Sequence, residues 1–291
     1  MTFVRKSYDN FCLCLEKTSM KYACKRVFGL DFSGAQDAGK RIWLASGTAN
    51  GRALYIDACL RLEELPEGAQ ERDPALKALR RYFVRMGEGV VGLDFPFGLS
   101  QDLMCGQSWE QFLAHFNERY PTPEIFRLAC CQMAGGIEKK RRTDAEAHTP
   151  FSPYNRRLYR QTYYGMRDVL APLVKADRAR VLPMQSPMPG KLLLLEICPA
   201  STLKRHNLYL SYKGRSMERR QARVQILEWL QECGVRFTPV SLREKAIQDA
   251  EGNTLDSIIA AWTAHRVAAL AIAEWEAEEA VYRLEGKVYV Y

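Results

Sequence analysis

The chain has 291 residues, 47% of them hydrophobic and 26% charged, with a formal net charge of +8. That is ordinary globular composition, enough for one large domain or two small ones, and it argues against a disordered or fibrous chain. No window approaches ~18 consecutive apolar residues, so no membrane association is expected. The N-terminal stretch also lacks an apolar core followed by a small-residue cleavage site.

Residues 1–25 read as an extension ahead of the first strand, with Met20 an alternative start. Three apolar runs follow, "RVFGLDFSG", "KRIWLASGTAN" and "RALYIDACLRL". Asn50-Gly51 joins the second to the third and signals a hairpin, so three antiparallel strands are expected. "RDPALKALRRYFVRM" spaces Leu76, Leu79, Phe83 and Met86 as one helical stripe. "GVVGLDFP" is a fourth strand, stopped by Pro96. A meander followed by a right-handed crossover sets the fourth strand parallel to the first.

Residues of about 100–188 interrupt this pattern with helical and basic segments and read as a helical insertion in a single domain spanning 26–291. "KLLLLEICPAS" is an apolar strand ending in Glu196. A helix at "SMERRQARVQILEWLQECG", a short strand at "VRFTPV" and a long helix opening at "NTLDSIIAAWTA" complete the pattern. The fold class expected is α/β: a mixed sheet of three antiparallel strands and then parallel ones, flanked by helices. Nine cysteines without metal-like spacing suit reduced thiols in a cytoplasmic protein.

The tetrapeptide GLDF occurs at Gly29–Phe32 and again at Gly92–Phe95. Each copy places an aspartate, Asp31 or Asp94, where an apolar strand ends, and Glu196 ends a third strand. Ligands of open α/β sheets bind at the carboxyl ends of strands. Asp256 falls in the first turn of the long helix, with Asn253 or Thr254 as the expected cap. Ala260, Ala261 and Ala264 would let that helix approach the sheet and carry Asp256 to the same edge. Desolvated acids gathered at one point call for a cation. Four carboxylates make a hard-oxygen site suited to Mg²⁺ or Mn²⁺. Two ions about 3.5–4 Å apart are expected, an arrangement able to cleave a phosphodiester. Taken singly, each acid also reads as a turn former, a helix cap or an ion-pair partner.

"GLDFSGA", "VGLDFPFGLS", "RRTDAEAH", "EICPAS" and "LDSIIAAWTA" together resemble, in order, the family called domain of unknown function 429. Its members are described as predicted nucleases with a ribonuclease H-like fold. The resemblance runs from about Val27 to Ala264. It implies that Asp31 is the first-strand acid bridging the metals, that Asp94 and Glu196 are the strand-end acids, and that Asp256 is the acid of the C-terminal helix. Arg142 and Asp144 match an R-x-D motif, in which Arg142 could hold a phosphate and Asp144 could orient it or act as an additional ligand.

Basic residues crowd into 139–167 and 204–223, which together carry more positive charge than the whole chain. Such a face suits a nucleic acid, DNA or RNA. Lys139, Lys140, Arg142, Asp144, Arg156, Arg157 and Arg160 are the expected substrate contacts. Phe151, Tyr154, Tyr159, Tyr163 and Tyr164 either stack on bases or pack the insertion. The reading is a metal-dependent nuclease. Its alternatives are an ATP-dependent phosphotransferase of the actin- or sugar-kinase-like branch, whose "DFSGA" turn would hold phosphate, and a non-catalytic nucleic-acid-binding module.

Overall fold

A computed structural model describes residues 25–291, so the expected N-terminal extension lies almost wholly outside the described residues. In chain order the elements begin with β1 (Arg26–Asp31), α1 (Ala38–Arg41), β2 (Trp43–Asn50), β3 (Ala53–Arg61), α2 (Arg72–Met86) and β4 (Gly89–Asp94). The region between β4 and the next strand holds α3 (Trp109–Ala114), α4 (Phe116–Arg119), α5 (Pro123–Met133), α6 (Arg142–Glu146), α7 (Tyr159–Gly165) and α8 (Ala171–Lys175). Then come β5 (Ala179–Leu182), β6 (Leu192–Ile197), α9 (Pro199–Arg205), α10 (Met217–Glu232), β7 (Val235–Phe237), α11 (Ser241–Gln248), α12 (Asn253–Ala273), α13 (Ala280–Glu285) and β8 (Val288–Tyr289).

The strands form one sheet in the order β5-β6-β4-β1-β2-β3-β7, with β8 beside β6. β2 pairs antiparallel with β1 on one side and with β3 on the other, while β4 runs parallel to β1 and β6 parallel to β4. Three antiparallel strands, a crossover helix and then parallel strands added on the first-strand side make an architecture consistent with a ribonuclease H-like sheet. The hairpin forms as expected but one residue later. Asn50 pairs with Ala53, so Gly51 and Arg52 make the turn, and Gly51 supplies the positive φ of 58°.

The reading of 100–188 as helical needs one correction. Ala179–Leu182 is a strand, pairing in parallel with Leu192–Leu195 and extending the sheet beyond β6. α7 and α8 are joined through a π-helical turn at Met166–Leu170. Pro172 cannot donate to the carbonyl of Asp168. Arg80 on α2 takes that carbonyl instead, at 2.6 Å.

Side chains alternate across a strand, so each strand feeds two cores. Phe28 and Leu30 of β1, and Val91 and Leu93 of β4, face α2 and the inserted helices. Trp109, Phe112, Phe116, Phe126 and Tyr163 complete that core. The opposite face carries Val27, Gly29 and Asp31 from β1, and Val90, Gly92 and Asp94 from β4. Against it lies α12, whose Leu255, Ile258, Ile259 and Ala261 are buried. α12 is long and apolar enough to span a bilayer, but 78% of that apolar window is buried inside the protein, as befits a core helix.

Candidate functional site

Asp31 and Asp94 are paired residues in the parallel β1–β4 ladder, so their side chains leave adjacent strands at one height and on one face. α12 lies on that face because the glycines two residues earlier let it. A Cβ at Gly29 would stand 2.1 Å from the Ala261 nitrogen and the Ser257 oxygen; at Gly92 it would stand 2.5 Å from the Ala260 oxygen. The same close approach brings Asp256, in the first turn of α12, to the carboxyl edge. The start of α12 differs from expectation. Gly252 occupies the cap position, and the Asp249 side chain accepts from the Thr254 amide at 2.7 Å.

Glu196 does not join the three aspartates. Its register partner in β4 is Leu93, so it points with Leu93 to the opposite face of the sheet. There Arg141 Nη1 donates to Glu196 Oε2 at 2.8 Å, and the Phe97 amide donates to the same oxygen at 2.9 Å. Arg141 also grips Asp144, Nε to Oδ2 at 3.0 Å and Nη2 to Oδ1 at 2.8 Å. Burial pushes Glu196 up, and Arg141 only partly offsets this. All three residues are buried. Asp144 is therefore one arm of a buried Glu–Arg–Asp bridge, and the buried arginine of the basic run is Arg141, not Arg142.

The expected binding residues disperse. Arg142 is exposed and pairs with Glu146 at 2.9 Å and Glu279 at 2.7 Å. Lys139 pairs with Asp102, Lys140 donates to the Thr149 carbonyl, and Arg160 pairs with Glu124. Arg156 is exposed. Arg157 is the one that lines the cleft beside Asp94 and Asp256. Of the aromatics, Tyr154, Tyr163 and Tyr164 are core residues, and Phe151 lines the cleft. The basic stretch 204–223 divides too. Arg223 is buried and holds the Tyr212 and Gly214 carbonyls and that of Ile247.

That arginine pins a loop, within the basic stretch 204–223, whose contacts with Asp256 the sequence does not reveal. Tyr212 donates its hydroxyl to Asp256 Oδ1 at 2.6 Å, and Lys213 Nζ lies 2.6 Å from Asp256 Oδ2. Both oxygens of Asp256 are thus engaged. The carboxyl groups of Asp31 and Asp94 receive no hydrogen bond or ion pair among the described residues. Burial, with Asp256 and then Asp94 nearby, pushes Asp31 well above the usual carboxylate range, against the pull of Lys213. Burial and Asp256 push Asp94 up to about 8. Burial raises Asp256 as well, though Lys213 and Tyr212 restrain it.

Asp94, Asp256, Tyr212 and Lys213 border an open cleft of about 620 Å³ whose walls include Phe151, Arg157, Tyr209 and Cys198. Burial and Asp94 push the Cys198 thiol up to about 12, so it is no thiolate nucleophile near neutral pH. As the side chains stand, no three His, Cys, Asp or Glu among the described residues are arranged to hold a metal ion. Hard carboxylate oxygens with excess negative charge are nonetheless the donor type that Mg²⁺ and Mn²⁺ prefer.

No protein-family model matches the chain, so the resemblance to the domain of unknown function 429 family rests on its five motifs. No curated protein matches it. Among solved structures, the yeast mitochondrial Holliday junction resolvase is similar at a TM-score of 0.37 and 11% identity, over 92% of this chain and 89% of that one. At that distance the reading of the fold rests on the strand order itself.

Proposed function

We propose that the protein is a nuclease that hydrolyses phosphodiester bonds of DNA or RNA at Asp31, Asp94 and Asp256. The observation that carries this reading is the Asp31–Asp94 pair, in register on neighbouring parallel strands, with a helix-borne third acid beside it. A divalent ion held by these oxygens would supply charge neutralisation and an activated water. The protein's own groups have separable tasks. Asp31 and Asp94 present unpaired carboxylates, and Tyr212 fixes the orientation of Asp256. Arg157 and Lys213 put positive charge along the path a phosphate would take, and Phe151 and Tyr209 offer faces on which bases can stack. Glu196 is assigned no part in the reaction, since it anchors the buried bridge.

The phosphotransferase reading loses support at the "DFSGA" turn. A Cβ at Gly34 would stand 2.5 Å from the Arg160 backbone, and the Phe32 carbonyl accepts from Gln161. The turn is packed beneath the start of α7 and is not open to a nucleotide. The decisive test is cleavage of labelled single-stranded, duplex and four-way DNA and of RNA, with Mn²⁺ or Mg²⁺. Cleavage that vanishes in Asp31→Asn and Asp94→Asn but survives in Arg142→Ala supports the assignment. Undiminished cleavage in Asp31→Asn refutes it.

A further inference from the structure

We infer that Lys213 is a resident counter-cation of the aspartate cluster, seated where a divalent ion would bind and displaced when one enters. The inference rests on the proposed use of that cluster as a metal site, and it accounts for why no metal cage is formed as the side chains stand.

Charge is the first argument. Three neighbouring carboxylates face one ammonium, so Lys213 offsets only part of the negative charge. Asp31, only 9% exposed, has no hydrogen-bond or ion-pair partner among the described residues, although its electrostatic neighbours are Asp256, Asp94 and Lys213. A buried carboxylate left in that condition is costly and draws in a cation. The ammonium reaches Asp256 Oδ2 at 2.6 Å and leaves Asp31 and Asp94 without a direct contact.

Mobility is the second argument. The Lys213 side chain is 53% exposed, so it reaches into the cluster from the solvent side. Its backbone is fixed, because buried Arg223 holds the carbonyls of Tyr212 and Gly214 on either side. A four-carbon stem on a fixed backbone can swing out without disturbing the loop. Tyr212 would stay on Oδ1, so Asp256 would keep its orientation while Oδ2 became free. The released ammonium would enter the cleft that Arg157 also lines, in position to meet a phosphate. One side chain would thus neutralise the resting site and then bind the substrate backbone.

The test is a calorimetric Mn²⁺ titration of the purified full-length chain and of Lys213→Met and Lys213→Arg, with nuclease activity measured in parallel. Loss of the competing ammonium is expected to tighten Mn²⁺ binding about tenfold or more in Lys213→Met. Lys213→Arg, which keeps the charge, is expected to bind no more tightly than the parent chain. Lys213→Gln, uncharged but still able to donate to Asp256, answers the same question should the methionine variant not fold. Equal affinity in the parent and the uncharged variants overturns the inference and leaves the nuclease reading intact. Tighter binding without cleavage by any form supports the inference and refutes the nuclease reading. Absence of Mn²⁺ binding in every form overturns both.

Discussion

Gly29 and Gly92 face each other across the β1–β4 ladder, and each receives the backbone of α12 where a side chain would otherwise stand. This relationship explains why the chain repeats GLDF. Residues two apart in a strand share a face, so in each copy the glycine seats the helix and the aspartate lies at that helix's first turn.

Adding one methyl group at either glycine therefore tests the helix seat. Gly29→Ala places carbon against main-chain atoms that cannot rotate away, and is expected to cost about 1–3 kcal/mol or more. Urea unfolding should show a lower midpoint, with a larger loss for Gly29→Ala than for Gly92→Ala, whose clash is milder.

The acid cluster predicts an unusual pH dependence. Folding raises the pKa of Asp94 to about 8, so its contribution is fully present below the unfolded pKa of ~4 and is lost as pH rises through about 8. With chelator present, Asp94→Asn should match the parent chain at pH 4. It should melt higher, by on the order of 5 °C, at pH 8.5. Thermal scans across that range check the sign, and added Mn²⁺ should narrow the gap.

Breaking the buried bridge should be costly wherever it is cut. Arg141→Met leaves Glu196 and Asp144 buried without their partner, a loss of about 3–5 kcal/mol. Glu196→Gln should destabilise less, yet retain most cleavage at temperatures where it is folded. Complete loss of activity in a fully folded Glu196→Gln would instead return Glu196 to the catalytic set.

Cleft and surface cations should separate in binding assays. Arg157→Ala is expected to weaken single-strand binding and to lower the salt slope by about one. Arg142→Ala and Lys139→Ala, each engaged with a surface acid, should change neither. Fluorescence anisotropy at several salt concentrations distinguishes the cases.

The central sheet was legible because its signals are local. The hairpin, the Leu76–Met86 stripe and the GLDF echo together imply the parallel β1–β4 pairing, and the alanines of α12 imply a close helix. Glu196 misled because "LLLLEI" is apolar on both faces, so its parity cannot be read; only pairing with Leu93 reveals it. Arg141 is hidden in a run of four cations, and its partner Glu196 is 55 residues distant. β5 is four residues long with an arginine inside, too short to stand out. Arg223 did leave a trace, since it shares a helical stripe with the buried Ile226, Leu227 and Leu230. Lys213 left none, as its role depends on Asp256 arriving from another element.

The Arg141 bridge is also linked to one wall of the cleft. Thr149 donates to Asp144, and Phe151, two residues on, forms part of the wall. The Thr143 hydroxyl accepts from the Val288 amide, and Arg141 reaches the Glu285 carbonyl. Segments remote in the chain are thus joined at the bridge. The Phe151 wall of the cleft is thereby tethered to the buried core through Thr149, so weakening the Arg141 bridge is expected to loosen that wall along with the fold.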